Sequence, residues 1–172
     1  MTRHLTLLPG VLVLFVAGCA SPTPQDPIQA FQVLRKAGVT KLPADDQKVL
    51  RDVSRFHEIN AVTNLPACIF ALRADDNGRL AEPGQEWQVG CVVTDDTLAF
   101  RRMIWAVTDG ELYVVHYEQG GYAYNVQFIV AKLKAGKSKP SFIWHGTIWS
   151  GKPVEDYPAF LKALQNNEVA DF

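Results

Sequence analysis

From residue 99 onward, apolar and polar positions alternate with the two-residue period of β-strands. Ala99 to Thr108 and Glu111 to Glu118 flank Asp109-Gly110, a dipeptide that favours a tight two-residue hairpin loop. Such a loop sets Thr108 opposite Glu111. Counting back places Ile104 opposite Val115, Trp105 opposite Val114, Arg102 opposite Tyr117 and Arg101 opposite Glu118. Gly120-Gly121 marks a second tight turn into a strand from Tyr122 to Leu133. It sets Tyr117 opposite Tyr124, Val115 opposite Val126, Tyr113 opposite Phe128 and His116 opposite Asn125. Lys134 to Lys139 is a polar loop, and Ser141 to Trp149 is a further strand.

Helical spacing governs both ends. Asp26-Pro27 reads as a cap followed by proline at the first helical position, and Ile28, Phe31 and Leu34 continue a helix to Gly38. A second helix starts at Pro43 with Asp45 and Asp46 in its first turn, where the helix dipole favours negative charge. Val49, Leu50, Val53 and Phe56 form its stripe, and it ends near His57 to Asn60. A final helix opens at Asp156 with Pro158 in its first turn and buries Tyr157, Phe160, Leu161 and Leu164. Between them, Ala67 to Arg73 and Glu86 to Val93 alternate as two further strands. Strands joined in sequence by short turns, with helices at both ends, predict an α+β fold. The expected architecture is an antiparallel meander of about five to six strands, two N-terminal helices and one C-terminal helix.

This register sorts the side chains. Ile104, Ala106, Tyr113, Val115, Tyr117, Tyr124, Val126, Phe128 and Val130 share one face, the expected floor beneath the helices. The opposite face is apolar at one end, through Trp105, Val107, Leu112, Val114 and Ile129. At its other end it carries Arg101, His116, Glu118, Asn125 and Gln127. These five are the candidate binding face, able to hydrogen-bond a polar ligand. A solvated sheet face with an Arg101–Glu118 ion pair accounts for the same residues.

Composition narrows the function classes. Seventeen Lys plus Arg against eighteen Asp plus Glu give a net charge of -1 over 172 residues, too little basic field to hold nucleic acid by counterion release. Gly146 to Lys152 has the spacing of a phosphate-binding loop, but Pro153 stands where a Ser or Thr must ligate magnesium. No nucleotide is expected. His4, His57, His116 and His145 show no metal-ligand spacing, and Asp75-Asp76-Asn77-Gly78 lacks the acidic residue that would complete a calcium loop. No metal, cofactor or catalytic residue is therefore assigned. His116 with Glu118 two residues on is the one acid-base spacing on the sheet.

At the N-terminus, Arg3 and His4 precede an apolar run from Val11 to Ala17, then Gly18 and Cys19. That is the charged, apolar and small-residue layout of an export signal, shorter than the ~20 apolar residues of a spanning helix. Val16-Ala17-Gly18-Cys19 resembles the lipobox of bacterial lipoproteins, in this segment alone. The resemblance implies a signal peptide over 1–18, lipid attachment at Cys19 and an anchored tether over 19–25. A single periplasmic domain over 26–172 follows. Ala20 after the cysteine, rather than Asp, implies an outer-membrane anchor facing the periplasm.

Cys68 and Cys91 then remain, in a compartment that permits disulfides. Pairing the strands 67–73 and 86–93 with residue 68 opposite 91 brings their Cα atoms within about 5.5 Å, inside disulfide range. Two reduced thiols serving as small hydrophobes is the other reading of the pair. The anchor, the near-neutral charge and the lack of a catalytic motif point to a non-enzymatic binding module with a protein partner in the envelope, of the inhibitor, immunity or assembly-accessory type. The alternative is a small periplasmic hydrolase using His116 with Glu118 or Arg101.

Overall fold

The computed structural model describes residues 41–148 and 150–171. The expected signal peptide, Cys19, the tether, the helix over 26–38 and Trp149 lie outside the described residues. Among the described residues, six strands form one antiparallel sheet whose spatial order repeats chain order. They are β1 (His57–Glu58), β2 (Arg101–Thr108), β3 (Leu112–Gln119), β4 (Asn125–Lys132), β5 (Phe142–Ile148) and β6 (Val169–Asp171). Helices α1 (Ala44–Leu50), α2 (Ala67–Arg73) and α3 (Tyr157–Gln165) complete an α+β fold. Asp156 caps α3 as expected, its carboxylate accepting the Ala159 N–H at 2.8 Å.

Three segments differ from the sequence expectation. The helix opening at Pro43 stops at Leu50 instead of reaching His57 to Asn60, because the chain makes a short 3-10 turn at Val53–Arg55 and then pairs His57 and Glu58 with Thr108 and Val107 as β1. Ala67–Arg73 is α2 rather than a strand. Pro66 fits just before a first turn, Ala, Leu and Arg favour helix, and Ile69 and Arg73, four residues apart, are its buried positions. Residues 86–93 are irregular, joined to the rest by isolated contacts such as the Gln88 N–H to the Ala99 carbonyl. The hairpin proposed to oppose residues 68 and 91 is therefore not formed. Cys68 sits half-buried on α2 and Cys91 is exposed in the irregular loop, both as free thiols.

The strand registers also move. Asp109 folds its carboxylate back onto the N–H groups of Glu111 and Leu112, at 3.0 and 2.8 Å. Thr108 then pairs with Tyr113 instead of Glu111, a shift of two that preserves which face each residue takes. A bulge at Ile104 subtracts one residue, so Arg102 pairs with Glu118 and Arg101 with Gln119. At the next connection Gly120 and Gly121 leave the sheet to meet the loop at Val89, and β4 begins only at Asn125. Val115 consequently pairs with Ile129 and His116 with Phe128, an odd shift that exchanges the faces of β4.

Because of that exchange, both faces of the sheet are core. On one, Val107, Val114, Val126, Phe128, Val130 and Trp144 pack beneath α1 and α3. On the other, Met103, Ala106, Val115, Tyr117, Ile129 and Ala131 pack beneath α2 and the segment around Val62 and Leu65. The β3 and β4 side chains are buried at nearly every position, as expected of strands covered on both sides.

Candidate functional site

The five sequence candidates do not share one surface. His116 and Glu118 project toward the α3 side, whereas Arg101, Asn125 and Gln127 lie on the α2 side of the same end of the sheet. His116 is completely buried and stacks on Phe128 with ring centroids 4.1 Å apart. Its Nε2 accepts the Val154 backbone N–H at 2.9 Å, which fixes the tautomer, and Nδ1–H donates to the Gln127 carbonyl at 3.0 Å. Burial lowers its pKa to about 4. Together with the Trp105 indole N–H donated to the Val154 carbonyl at 2.8 Å, this ring pins the chain leading into α3.

Glu118 is equally committed. Its carboxylate receives the Arg102 guanidinium, with Nε at 2.6 Å, and the Tyr124 hydroxyl at 2.9 Å. Arg102 in turn lies over the Trp87 ring at 5.3 Å and donates to the Gln85 carbonyl. Burial and the neighbouring carboxylate push the Tyr124 phenol up to about 12. This group fastens the irregular segment 85–88 to the sheet.

On the α2 side, the three remaining candidates join groups that sequence reasoning missed. One row across the strands holds Arg101, Gln119 and Asn125, and the next holds Met103, Tyr117, Gln127 and Thr147. Arg73 enters from the last turn of α2 and is only 4% exposed. Its guanidinium donates to the Tyr117 hydroxyl, approaches His145 Nε2 at 3.3 Å and lies over the Tyr117 ring. The Tyr117 hydroxyl donates to the Gln127 side-chain carbonyl, and Gln127 donates to the Asn125 side chain at 2.6 Å. Arg101 donates to the Ala74 carbonyl at the end of α2 and to Gln119. Burial, then the charges of Arg73 and Arg101, hold His145 down to about 3.

The described residues place their exposed large apolar side chains unevenly. Val53 is one, and the others are Val89, Val92, Val93, Tyr122 and Tyr124. These five sit on two loops that meet through the Gly121 N–H donated to the Val89 carbonyl at 3.0 Å. The Gln88 side chain stiffens the first loop by donating to the carbonyls of Gly90 and Val92. Gly120 permits the approach, since a Cβ there would stand 2.1 Å from the Gln88 carbonyl oxygen. Among the described residues, no three His, Cys, Asp or Glu side chains form a group able to hold a metal ion. No family model, curated protein or solved structure matches this chain.

Proposed function

We propose that this chain is an envelope lipoprotein, held by lipid on Cys19 at the outer membrane and facing the periplasm, whose domain is a non-enzymatic module that binds a protein. The likeness of Val16-Ala17-Gly18-Cys19 to a lipobox supports the anchor. The binding reading rests on the paired loops 86–93 and 120–124, where exposed Val89, Val92, Val93 and Tyr122 gather on a braced framework. Scattered apolar residues need no explanation, but a cluster of this kind marks an interaction site. Asp95 and Asp96 beside it favour a partner whose apolar patch is rimmed by basic residues.

The hydrolase alternative loses support from the same geometry. Both ring nitrogens of His116 are bonded to backbone, and Glu118 is held by Arg102 and Tyr124. A general base needs a free nitrogen within reach of substrate.

The test is photocrosslinking in cells with a reactive residue at position 92 or 122, and at exposed position 137 as control. A discrete protein adduct at 92 and 122 but not at 137 is expected. Absence of an adduct at both loop positions overturns the docking assignment. Separately, Cys19→Ala is expected to leave an unprocessed or soluble precursor, and normal membrane anchoring of that variant refutes the lipoprotein reading.

A further inference from the structure

The polar end of the α2-side face has an unbalanced charge. Arg73 is 96% buried, yet its hydrogen-bonding partners, the Tyr117 hydroxyl and His145 Nε2, are both neutral acceptors. Among the described residues its Nε has no partner. Arg101 brings a second guanidinium to the same place and spends its bonds on the Ala74 and Arg73 carbonyls and on Gln119. The ion pairs among the described residues join Arg55 to Asp109, Arg79 to Asp75, Arg102 to Glu118 and Lys132 to Asp46. None reaches Arg73 or Arg101. A buried guanidinium without a counter-charge is costly, and a second cation beside it raises that cost.

We propose that this cluster is a binding site for an oxyanion, a carboxylate or phosphate group, held by the guanidinium groups of Arg73 and Arg101 with His145 and Asn125 beside them. Guanidinium is the side chain best matched to two acceptor oxygens, because its planar N–H groups form parallel charged hydrogen bonds. Arg73 forms the floor, and half-buried Arg101, Gln119, Asn125 and His145 give the site its solvent side. The site lies on the α2-side face of the sheet and does not depend on the docking reading of the loops.

The test uses the full chain at constant ionic strength, with chloride, acetate or inorganic phosphate as the varied anion. The expected result is a rise in melting temperature that saturates with phosphate, acetate or both, over the chloride baseline. The Arg73 Nε–H nitrogen NMR signal should move along the same curve. The anion that acts tells phosphate from carboxylate selectivity. Arg101→Gln should weaken the response at least about tenfold while leaving the far-ultraviolet circular dichroism unchanged, and it keeps the test readable if Arg73→Gln does not fold. Arg73→Gln, where folded, should melt higher than the parent in chloride and gain nothing from phosphate or acetate. The assignment is overturned if neither anion differs from chloride, or if folded Arg101→Gln responds as the parent does.

Discussion

His116 illustrates how one side chain can be legible in sequence and still be misplaced. It stands two positions from Glu118 on a strand, a spacing compatible with acid-base chemistry, yet its ring joins the Gln127 carbonyl to the Val154 N–H in the core. Both partners come from other elements, so no local pattern announces them. The consequence is acid sensitivity. The folded pKa values of His116 and His145, about 4 and about 3, lie below the ordinary 6.5. The unfolded chain therefore binds protons that the folded one refuses, so stability is whole above pH 6.5 and falls as pH drops toward 4. His116 alone should account for about 3 kcal/mol of that fall. Urea denaturation at pH 7 and pH 4 measures it. His116→Phe should be less stable at pH 7, because the Val154 N–H loses its acceptor, but should show a shallower pH dependence. Equal slopes in parent and variant would remove the histidine from the account.

At the scale of elements, long segments were readable and short or bent ones were not. The alternation over 101–108, 112–119, 125–132 and 142–148 and the cap at Asp156 each foretold the element that forms. The two- and three-residue strands β1 and β6 are too short to leave a pattern. Over Ala67–Arg73, three alternating apolar residues competed with Ile69 and Arg73 at helical spacing, and burial of the latter pair under the sheet decided the outcome. The bulge at Ile104 and the Asp109 side chain moved the β2–β3 register, and the departure of Gly120-Gly121 exchanged the β4 faces. The bulge moved Arg101 and the β4 exchange moved Asn125 and Gln127, and together they split the expected binding face between the two sides of the sheet. Gly120→Ala puts a methyl group into the Gln88 carbonyl. It should cost about 1–3 kcal/mol and accelerate hydrogen exchange at the Gly121 amide, whose bond to Val89 joins the loops. Unchanged exchange at that amide would show that the loops are not coupled through this contact.

For the molecule as a whole, the sheet is a central layer with separate cores above and below. Phe160 of α3 packs on Phe128 with centroids 4.7 Å apart, while Ile69 of α2 belongs to the opposite core. Phe160→Ala should cost about 3–5 kcal/mol and Ile69→Ala about 2–5 kcal/mol. With the sheet between them, the two losses should add within about 0.5 kcal/mol in the double variant. Should the double variant be too unstable to fold, Phe160→Leu with Ile69→Val poses the same question more gently. A coupling well above that limit would mean that the sheet transmits strain between its faces. Sequence foretold an antiparallel meander of about five to six strands, of which the four long ones, β2 to β5, form where expected. It placed most of the core on one face, however, because the exchanged register of β4 arises from a contact between distant loops.

The order of the strands has a kinetic consequence. Every strand of the sheet lies beside its predecessor in the chain, so pairing can advance from each strand to the next, and no crossing connection has to be threaded. The connections from β2 through β5 are short and close at small entropic cost, whereas residues 59–100 separate β1 from β2 and 149–168 separate β5 from β6. Refolding from denaturant should accordingly be dominated by one phase on the order of milliseconds, as for two-state chains of mixed α and β content. Stopped-flow tryptophan fluorescence would follow it, with Trp105 and Trp144 reporting from the centre of the sheet.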